Sequence, residues 1–375
     1  MADAAGNGWQ GPDRVWSSGA VTDRAMSGRE LARRFHADVV APLLAQGMPG
    51  LRYAAGRLGS GSDVLGLDDV MSRDHDWGCR LTLLVDEPDR DAVPQVTGLL
   101  ERELPESYQG YPVRFPVTWD PSRTHKVDVA TVAGFAADRL GVDPTGELSG
   151  LDWLILTGQS VLEVIAGPVF ADQTFQLARV RAVLRWYPPD VERYVLAAGW
   201  QRLCQEMPMV GRTADCGDEL GSRLLSARLA GDLMWLAFAL SRQWPPYPKW
   251  RGTAFQALEV AADLAGPLSA AVAAPDWRGR ENGLAEACEV LLSAQRARGL
   301  PAPASAVTGF WDRPYRTVGE AVQQALLAGI TDPHVTRLPA LIGSIEQWAD
   351  SVDILASPAR RAGLQAAYRA WADLS

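Results

Sequence analysis

Residues 58–78, with the sequence LGSGSDVLGLDDVMSRDHDWG, decide how the fold of this chain is predicted. They follow a short, largely apolar segment, 51–58, that is typical of a β-strand. The turn 59–62 carries little side-chain bulk, so its backbone N–H groups and the hydroxyls of Ser60 and Ser62 can approach an anion closely. The sequence therefore predicts an anion-binding turn at the end of a strand.

Two carboxylates follow that turn, at Asp74 and Asp76, in the segment 74–85 that is predicted to be a second strand. Residues two apart on a strand point to the same face, so these carboxylates repel unless cations lie between them. Oxygen ligands of this kind suit Mg²⁺ chelated by a triphosphate. A third acid, Asp128, lies on an alternating segment at 126–132 and is predicted to close the site on a second metal ion.

The elements around these acids predict an α+β layer with a mixed sheet over 27–148, after a leader at 1–26 without periodicity. The first helix is predicted to begin at Ser27, where SGRE fits a capping box. A further helix is predicted at about 89–104 and a further strand at 113–119. The apolar stripe of the first helix is predicted to be Leu31, Phe35, Val39 and Leu43.

Helical patterns dominate the chain beyond residue 150, with breaks where Pro and Gly cluster. The predicted helices are 151–165, 173–186, 189–206, 216–243, 252–273, 280–297, 316–328, 338–354 and 358–373. These patterns predict an all-helical domain over 150–375, packed as a bundle. The segment 167–172 is predicted to be a tight joint in which Asp172 caps the next helix.

The order Gly-Ser, about a dozen residues, and then Asp-x-Asp resembles the signature of the nucleotidyltransferase superfamily, which includes DNA polymerase beta and the kanamycin nucleotidyltransferases. The fuller string, GSGSDVLGLDD followed by SRDHDWG, is more similar to an uncharacterised bacterial family of nucleotidyltransferase-like domains, each followed by a helical region. The resemblance covers about 51–130, with a second patch at 247–250, YPKW. His75 departs from the pattern, because the residue between the two acids is usually apolar.

The resemblance implies metal-dependent transfer of a nucleoside monophosphate from a nucleoside triphosphate to a hydroxyl or phosphate of an acceptor, with release of pyrophosphate. Asp74 and Asp76 would bind two Mg²⁺ ions, and Asp128 would be the third catalytic acid. The residues expected to hold the β- and γ-phosphates are Gly59, Ser60 and Ser62. A cleft between the two domains is expected to hold the nucleotide and the acceptor.

Other polar residues leave alternatives open. Lys249 could neutralise a triphosphate and Tyr247 could stack on a base, or their loop could simply pack the joint between domains. Arg228 and Asp232, four residues apart, predict a salt bridge within a helix. The acids between the turn and the metal pair, which are Asp63, Asp68 and Asp69, are expected to form turns or cap helices, although one could orient a ligand.

Composition limits the partners. The net charge of −9 and the sequence pI near 5.1 disfavour nucleic acid and favour a small-molecule acceptor, a hydroxylated cation being one candidate. The four cysteines show no metal-binding spacing, and no secretory signal or membrane span is predicted, so a cytoplasmic location is expected. Nucleotidylation of a protein or transfer RNA, and nucleotide binding without catalysis, remain alternatives, and the oligomeric state stays open.

Overall fold

The structure, a computed structural model, describes residues 26–73, 76–118, 120–339 and 341–372. Its contacts divide the chain into two compact units. Unit 1 comprises the chain up to Glu147 together with Ser160–Arg185, and unit 2 comprises Leu148–Gln159 and the chain from Trp186 onward. Unit 1 contains a mixed sheet and unit 2 is mainly helical, which confirms the predicted fold class.

The strands of unit 1 form one five-stranded sheet and a separate two-stranded pair, β3–β4. They are β1 (Tyr53–Gly56), β2 (Arg80–Val85), β3 (Ser107–Tyr108), β4 (Tyr111–Pro112), β5 (Arg114–Val117), β6 (Asp120–Thr131) and β7 (Val169–Asp172). The order across the sheet is β5-β6-β2-β1-β7. Only β2 and β6 run parallel; the other neighbours in the sheet are antiparallel.

Helices cover the sheet of unit 1. The first eight helices that the structure describes are α1 (Gly28–Phe35), α2 (Ala41–Gly47), α3 (Ser62–Leu65), α4 (Ala92–Glu103), α5 (Val132–Leu140), α6 (Gly150–Leu154), α7 (Gly158–Ile165) and α8 (Gln176–Val183). Of these, α6 belongs to unit 2 and α7 begins there. Apolar side chains of α1, α2 and α4 bury the sheet face that carries Leu81, Leu83 and Val127. Thr82 and Leu84 of β2 point to the opposite face because side chains alternate along a strand, and α5 packs against β2 and β6.

The start of α1 confirms the predicted N-cap, but its buried stripe changes register. The Ser27 hydroxyl accepts a hydrogen bond from the Glu30 N–H, at 3.3 Å. A π-helical stretch, His36–Val40, then joins α1 to α2. A π-helical turn holds an extra residue, so the fully buried positions after Phe35 are Val40 and Leu44. The predicted positions Val39 and Leu43 are only partly buried.

Two predictions about strands were wrong. Of the segment predicted as a strand at 74–85, the described part, 76–85, becomes a strand only at Arg80, and Asp76 precedes it in a bend with a φ of 55°. The segment 167–172, expected to be a joint, contains β7, which pairs with β1 at the edge of the sheet. Asp172 nevertheless caps the next helix as predicted, because its carboxylate accepts from the Ala178 N–H at 2.9 Å.

Unit 2 is built mainly on long helices, with α9 packed along α10 and α10 against α12 and α13. The helices from α9 onward are α9 (Pro189–Asp215), α10 (Glu219–Leu240), α11 (Pro248–Phe255), α12 (Ala261–Ala273), α13 (Trp277–Ala297), α14 (Ala321–Leu327), α15 (Pro333–Thr336), α16 (Val352–Leu355), α17 (Pro358–Gly363) and α18 (Gln365–Ala372). A short ribbon of β8 (Val307–Gly309) and β9 (Arg316–Val318) interrupts the predicted all-helical pattern. In the described part of the chain, no helix has the length and apolar character needed to cross a membrane.

The shifted register of α2 makes a testable prediction. Leu44→Ala should lower the free energy of unfolding by about 2–5 kcal/mol, because it empties a site in the core. Leu43→Ala, at the neighbouring position, should cost clearly less because that side chain is only partly buried. Urea titrations of the two variants measure the difference, and an equal or reversed order would contradict the π-helical register.

Candidate functional site

A buried ion pair organises the loop that follows β1. Arg57 Nε and Nη2 donate to the two carboxylate oxygens of Asp63, at 2.7 and 2.9 Å. Both side chains are almost fully buried. The same guanidinium donates to the carbonyl oxygens of Leu58 and Ser60, at 2.6 and 2.8 Å. Residues 58–63 therefore wrap around one guanidinium, which fixes the path of the backbone.

The glycines of this loop are required by its geometry. Gly59 and Gly61 have φ angles of 79° and 136°, where side chains other than hydrogen are disfavoured. A Cβ atom at Gly61 would lie 2.3 Å from Asp63 and 2.5 Å from Arg57. The Gly59 N–H donates to the Glu163 carbonyl oxygen at 2.7 Å, so it is engaged within unit 1. The hydroxyls of this loop belong to Ser60 and Ser62, which are half-buried.

The topology brings three chain segments to one edge of the sheet. Residues 57–61 follow the end of β1, and the antiparallel β2 begins beside them at Arg80. Because β6 runs parallel to β2, its residues 126–128 lie at the same edge. The register pairs Gly56 with Thr82 and Thr82 with Asp128. Asp128 thus shares a sheet face with Thr82 and Arg80, at the edge where the loop begins.

Arg80 connects these segments. Its guanidinium donates to the Asp76 carbonyl oxygen at 3.0 Å and to the Ser60 hydroxyl at 3.4 Å. Burial, and to a smaller extent the neighbouring Arg57, lower the pKa of Arg80 to about 10. The carboxylates of Asp63, Asp128 and Asp76 act in the opposite direction. Negative charge from three segments therefore converges on this buried cation.

Asp76 is held in place by Thr118, at the end of β5. The Thr118 backbone N–H donates to Asp76 Oδ1 at 2.6 Å, and the Thr118 hydroxyl donates to Oδ2 at 2.7 Å. Asp74 and His75 lie outside the described residues. Over the described ranges, no group of three His, Cys, Asp or Glu side chains is arranged to hold a metal ion.

Asp128 is exposed, whereas its neighbour His125 turns to the other face of β6. His125 lies 3.4 Å from a Glu101 carboxylate oxygen, and burial lowers the pKa of its imidazole. This placement agrees with a structural role for the histidine. Asp128 is therefore the acid of β6 that faces Arg80.

The three aspartates between the turn and the metal pair have separate structural roles. Asp63 forms the ion pair with Arg57 and is not a simple turn former. Asp68 accepts from the Gly28 N–H at 2.8 Å, in the first turn of α1, and from the Trp77 indole at 3.3 Å. Asp69 accepts from the backbone N–H and hydroxyl of Ser72. The capping expectation is thus confirmed for Asp68 and Asp69.

Tyr247 and Lys249 belong to unit 2, at the start of α11. The Tyr247 N–H donates to Gln159 Oε1 at 3.3 Å, and its side chain is 39% exposed. The Lys249 ammonium lies 5.0 Å from the centre of the Trp250 ring, in a cation–π contact. Their suggested part in nucleotide binding stays a prediction.

The salt bridge predicted between Arg228 and Asp232 does not form. Arg228 instead pairs with Glu206 of α9, and Asp232 lies 4.0 Å from Arg202 Nε. Close packing of α9 along α10 offers each side chain a partner on the other helix, so contacts between helices replace the contact within one helix.

Sequence reasoning missed Arg57, Arg80 and Thr118. The available signal was a lone arginine at the end or the start of an otherwise apolar strand, as at Arg57 and Arg80. A charged side chain in such a place is seldom buried without a partner. Nothing in the local sequence marks Thr118, because its bonds to Asp76 join residues 42 positions apart.

Comparisons with known proteins found one family model and similar solved structures. Residues 153–251 match a family described as a domain of unknown function, DUF4037. Among solved structures, the chain is similar to a nucleotidyltransferase-like protein from Exiguobacterium sibiricum 255-15, with 12% identity and a TM-score of 0.33. That match covers 71% of this chain and 77% of the other. No curated protein matches the chain.

The buried ion pair predicts that two acids of this region, Asp63 and Asp128, contribute very differently to the free energy of unfolding. Asp63→Ala should lower the free energy of unfolding by about 3–5 kcal/mol, because it leaves the Arg57 guanidinium buried without its counter-charge. Asp128→Ala should lower it clearly less, because this carboxylate is exposed and solvent screens its charge. Urea unfolding measures both, and a small effect at Asp63 would contradict the role given to the pair.

Proposed function

We propose that unit 1 is the catalytic domain of a metal-dependent nucleotidyltransferase. It would move a nucleoside monophosphate from a nucleoside triphosphate to a hydroxyl or phosphate of an acceptor and release pyrophosphate. The observation that carries this proposal is the position of Arg80, which contacts both the Ser60 hydroxyl and the Asp76 backbone within reach of the Asp128 charge. A small-residue loop, a cation and acids thus meet at one edge of the sheet.

The loop would hold the polyphosphate. Ser60 and Ser62 offer hydroxyls from a backbone that Arg57 already fixes, so little conformational freedom is lost when a ligand binds. Arg80, beneath Ser60, would supply positive charge to the β- and γ-phosphates. The Arg139 guanidinium lies beside the same loop, 3.4 Å from the place of a Cβ atom on Gly59. It would add a second cation.

The described acids offer the ligands that Mg²⁺ prefers. Carboxylate oxygens of Asp76 and Asp128 are hard donors. With Asp74, they would hold the two ions that the resemblance implies. Bound magnesium would stabilise negative charge on the attacking and leaving oxygens.

The reaction would be an in-line attack by an acceptor oxygen on the α-phosphorus. The new bond forms between that oxygen and phosphorus, while the bond to the bridging oxygen breaks and pyrophosphate leaves. The acceptor's proton would pass to Asp128, which is exposed and therefore accessible. The net charge of −9 favours a small, hydroxylated acceptor over nucleic acid.

A second candidate function is nucleotide binding without catalysis, as in a sensor. The observation that favours it is the double hydrogen bond of Thr118 to the Asp76 carboxylate, which gives this acid a structural partner. Transfer to a protein or to a transfer RNA remains a variant of the first proposal.

Nucleotide binding predicts a gain in stability. Each nucleoside triphosphate with Mg²⁺, added at about a hundred times its Kd, should stabilise the protein by about 2.7 kcal/mol, because it binds only the folded state. Thermal unfolding with and without Mg²⁺ measures the effect. Ser60→Ala should weaken binding by about ten- to a hundredfold, the value of one hydrogen bond to a charged acceptor. If no nucleoside triphosphate raises the unfolding temperature, the proposed nucleotide site is wrong.

If unit 1 catalyses nucleotide transfer, substitution of its proposed metal-binding acids should abolish activity. Asp76→Ala and Asp128→Asn should abolish Mg²⁺-dependent release of pyrophosphate from a labelled nucleoside triphosphate, assayed with candidate acceptors, and should leave the fold intact. Asp120→Asn, at another acid of β6, serves as the matched control and should retain activity. Nucleotide-induced stabilisation without pyrophosphate release from the wild-type protein would favour the sensor, and full activity of either site variant would count against the proposed site.

A further inference from the structure

The outward face of α10 carries apolar residues at a regular spacing. Leu220 and Leu224 are 69% and 63% exposed, and Ala227 is exposed as well. Together with the half-buried Gly231, they follow one another at intervals of four, three and four positions. This is the heptad spacing of a helix that packs along another helix. We call Leu220, Leu224, Ala227 and Gly231 the α10 seam.

The α10 seam faces away from the helices that pack against α10. Ser222 and Ser226, on the opposite side of α10, are buried and donate to carbonyl oxygens of α9 and α12, at 2.6 and 2.7 Å. On one flank of the seam, Arg228 pairs with a glutamate of α9. On the other flank, Arg223 donates to the Pro275 carbonyl oxygen just after α12, at 3.0 Å. The seam therefore runs along the outer side of α10, with α9 on one flank and α12 on the other.

Contacts within the chain do not explain Gly231. It lies in the interior of α10, where glycine destabilises a helix relative to alanine. Its φ angle is not positive, and a Cβ atom added to it would meet no atom of the described residues within 4 Å. Neither backbone conformation nor crowding within the chain thus requires glycine here. The space beside it suits a side chain that approaches from outside.

The charges beside the seam are matched within the chain. Arg228 pairs with Glu206, and Arg223 lies 3.0 Å from a Glu219 carboxylate oxygen. These pairs contribute no net charge to the face, although the whole chain has a net charge of −9. Two copies of an acidic chain repel each other on average, so an apolar face with balanced charges is where they can approach most closely.

A second copy of α10 fits the seam when the two helices run antiparallel. A two-fold axis between Leu224 and Ala227 sets Leu224 of each copy against Ala227 of the other, and Leu220 against Gly231. Large side chains then meet small ones in every layer, and the space beside Gly231 is filled. A parallel pair would instead set leucine against leucine and glycine against glycine, which crowds one end and leaves a gap at the other.

The arginines favour the same orientation. Arg223 and Arg228 occupy the two positions beside the seam that meet a neighbouring helix. In a parallel pair, Arg223 of one copy would lie beside Arg228 of the other, and the like charges would repel. In the antiparallel pair, Arg223 lies beside Ala230 and Arg228 beside Gly221. The helix dipoles also run in opposite directions, which is favourable.

The flanking helices extend the apolar face. Met209 of α9 and Val272 of α12 are 46% and 51% exposed. The seam is about 16 Å long, and three helices spaced about 8–10 Å apart present a face roughly 25 Å wide. A face of this size lies near the lower end of specific protein interfaces, at about 600 Å² per partner or less. We therefore expect a dimer that dissociates on dilution.

We propose that the α10 seam of unit 2 is an interface between two copies of this chain, which pair through antiparallel α10 helices around a two-fold axis. Leu220 and Leu224 of each copy pack against Gly231 and Ala227 of the other. The interface does not depend on nucleotide transfer by unit 1.

The oligomeric state of the full chain tests the proposal. Sedimentation velocity over a series of protein concentrations should show a monomer–dimer equilibrium. Leu224→Glu buries an unpaired charge in the seam and should weaken dimer formation at least about tenfold. Gly231→Leu occupies the space that Leu220 of the other copy requires and should weaken it similarly. Gly231→Leu should not lower the unfolding temperature of the dilute, monomeric protein, because leucine favours a helix and its Cβ atom meets no described neighbour.

The orientation is tested by exchanging a large and a small residue. Ala227→Leu sets leucine against leucine and should weaken dimer formation, because the antiparallel layers become overpacked. Adding Leu224→Ala to the same chain should restore the dimer, since each layer again holds one large and one small side chain. Failure of the second change to restore it would overturn the antiparallel register.

Val352→Glu is the matched control, because Val352 is 72% exposed on another helix of unit 2 and lies outside the seam. It should leave the equilibrium unchanged. The proposal is overturned if the wild-type chain stays monomeric at every concentration, or if Leu224→Glu and Gly231→Leu form dimers as readily as the wild type. It is also overturned if Val352→Glu weakens dimer formation as much as they do.

Discussion

The ion pair between Arg57 and Asp63 is the constraint on which the candidate site of unit 1 depends. A guanidinium taken out of water must be paired, and this one uses its remaining N–H groups to hold two carbonyl oxygens of its own loop. The backbone from 58 to 63 has little choice of path once those bonds are made. Gly61 follows from the pair, because any side chain there would collide with both partners. The buried Arg57 therefore fixes the backbone that carries Ser60 and Ser62.

A second buried guanidinium lies close to the first. Arg57 and Arg80 repel each other enough to affect the pKa of Arg80, and acids from three segments offset that repulsion. Each cation is thus matched by carboxylates, Arg57 by Asp63 and Arg80 by Asp63, Asp76 and Asp128.

The sequence predicted those features whose causes are local. The N-cap at Ser27, the turn at 59–62 and the alternation around Asp128 depend on neighbouring residues, and each is recognisable in a short window. The features that escaped prediction depend on distant partners. The π-helical turn shifts burial from Val39 to Val40 because the core selects the register. Two hydrogen bonds from Thr118 similarly hold Asp76 in a bend, which the strand-like pattern of its sequence does not indicate.

The return of the chain to form β7 has a consequence for biosynthesis. Until Val169–Asp172 has emerged from the ribosome, β1 has no neighbour on one side, and its backbone N–H and C=O groups on that side are unpaired. At about 5–20 residues per second, the interval between the end of β1 and the end of β7 lasts several seconds. During that time β1, and not β7, forms this edge of the nascent sheet. Unit 1 can therefore complete its five-stranded sheet only after a segment of unit 2, Leu148–Gln159, has been synthesised.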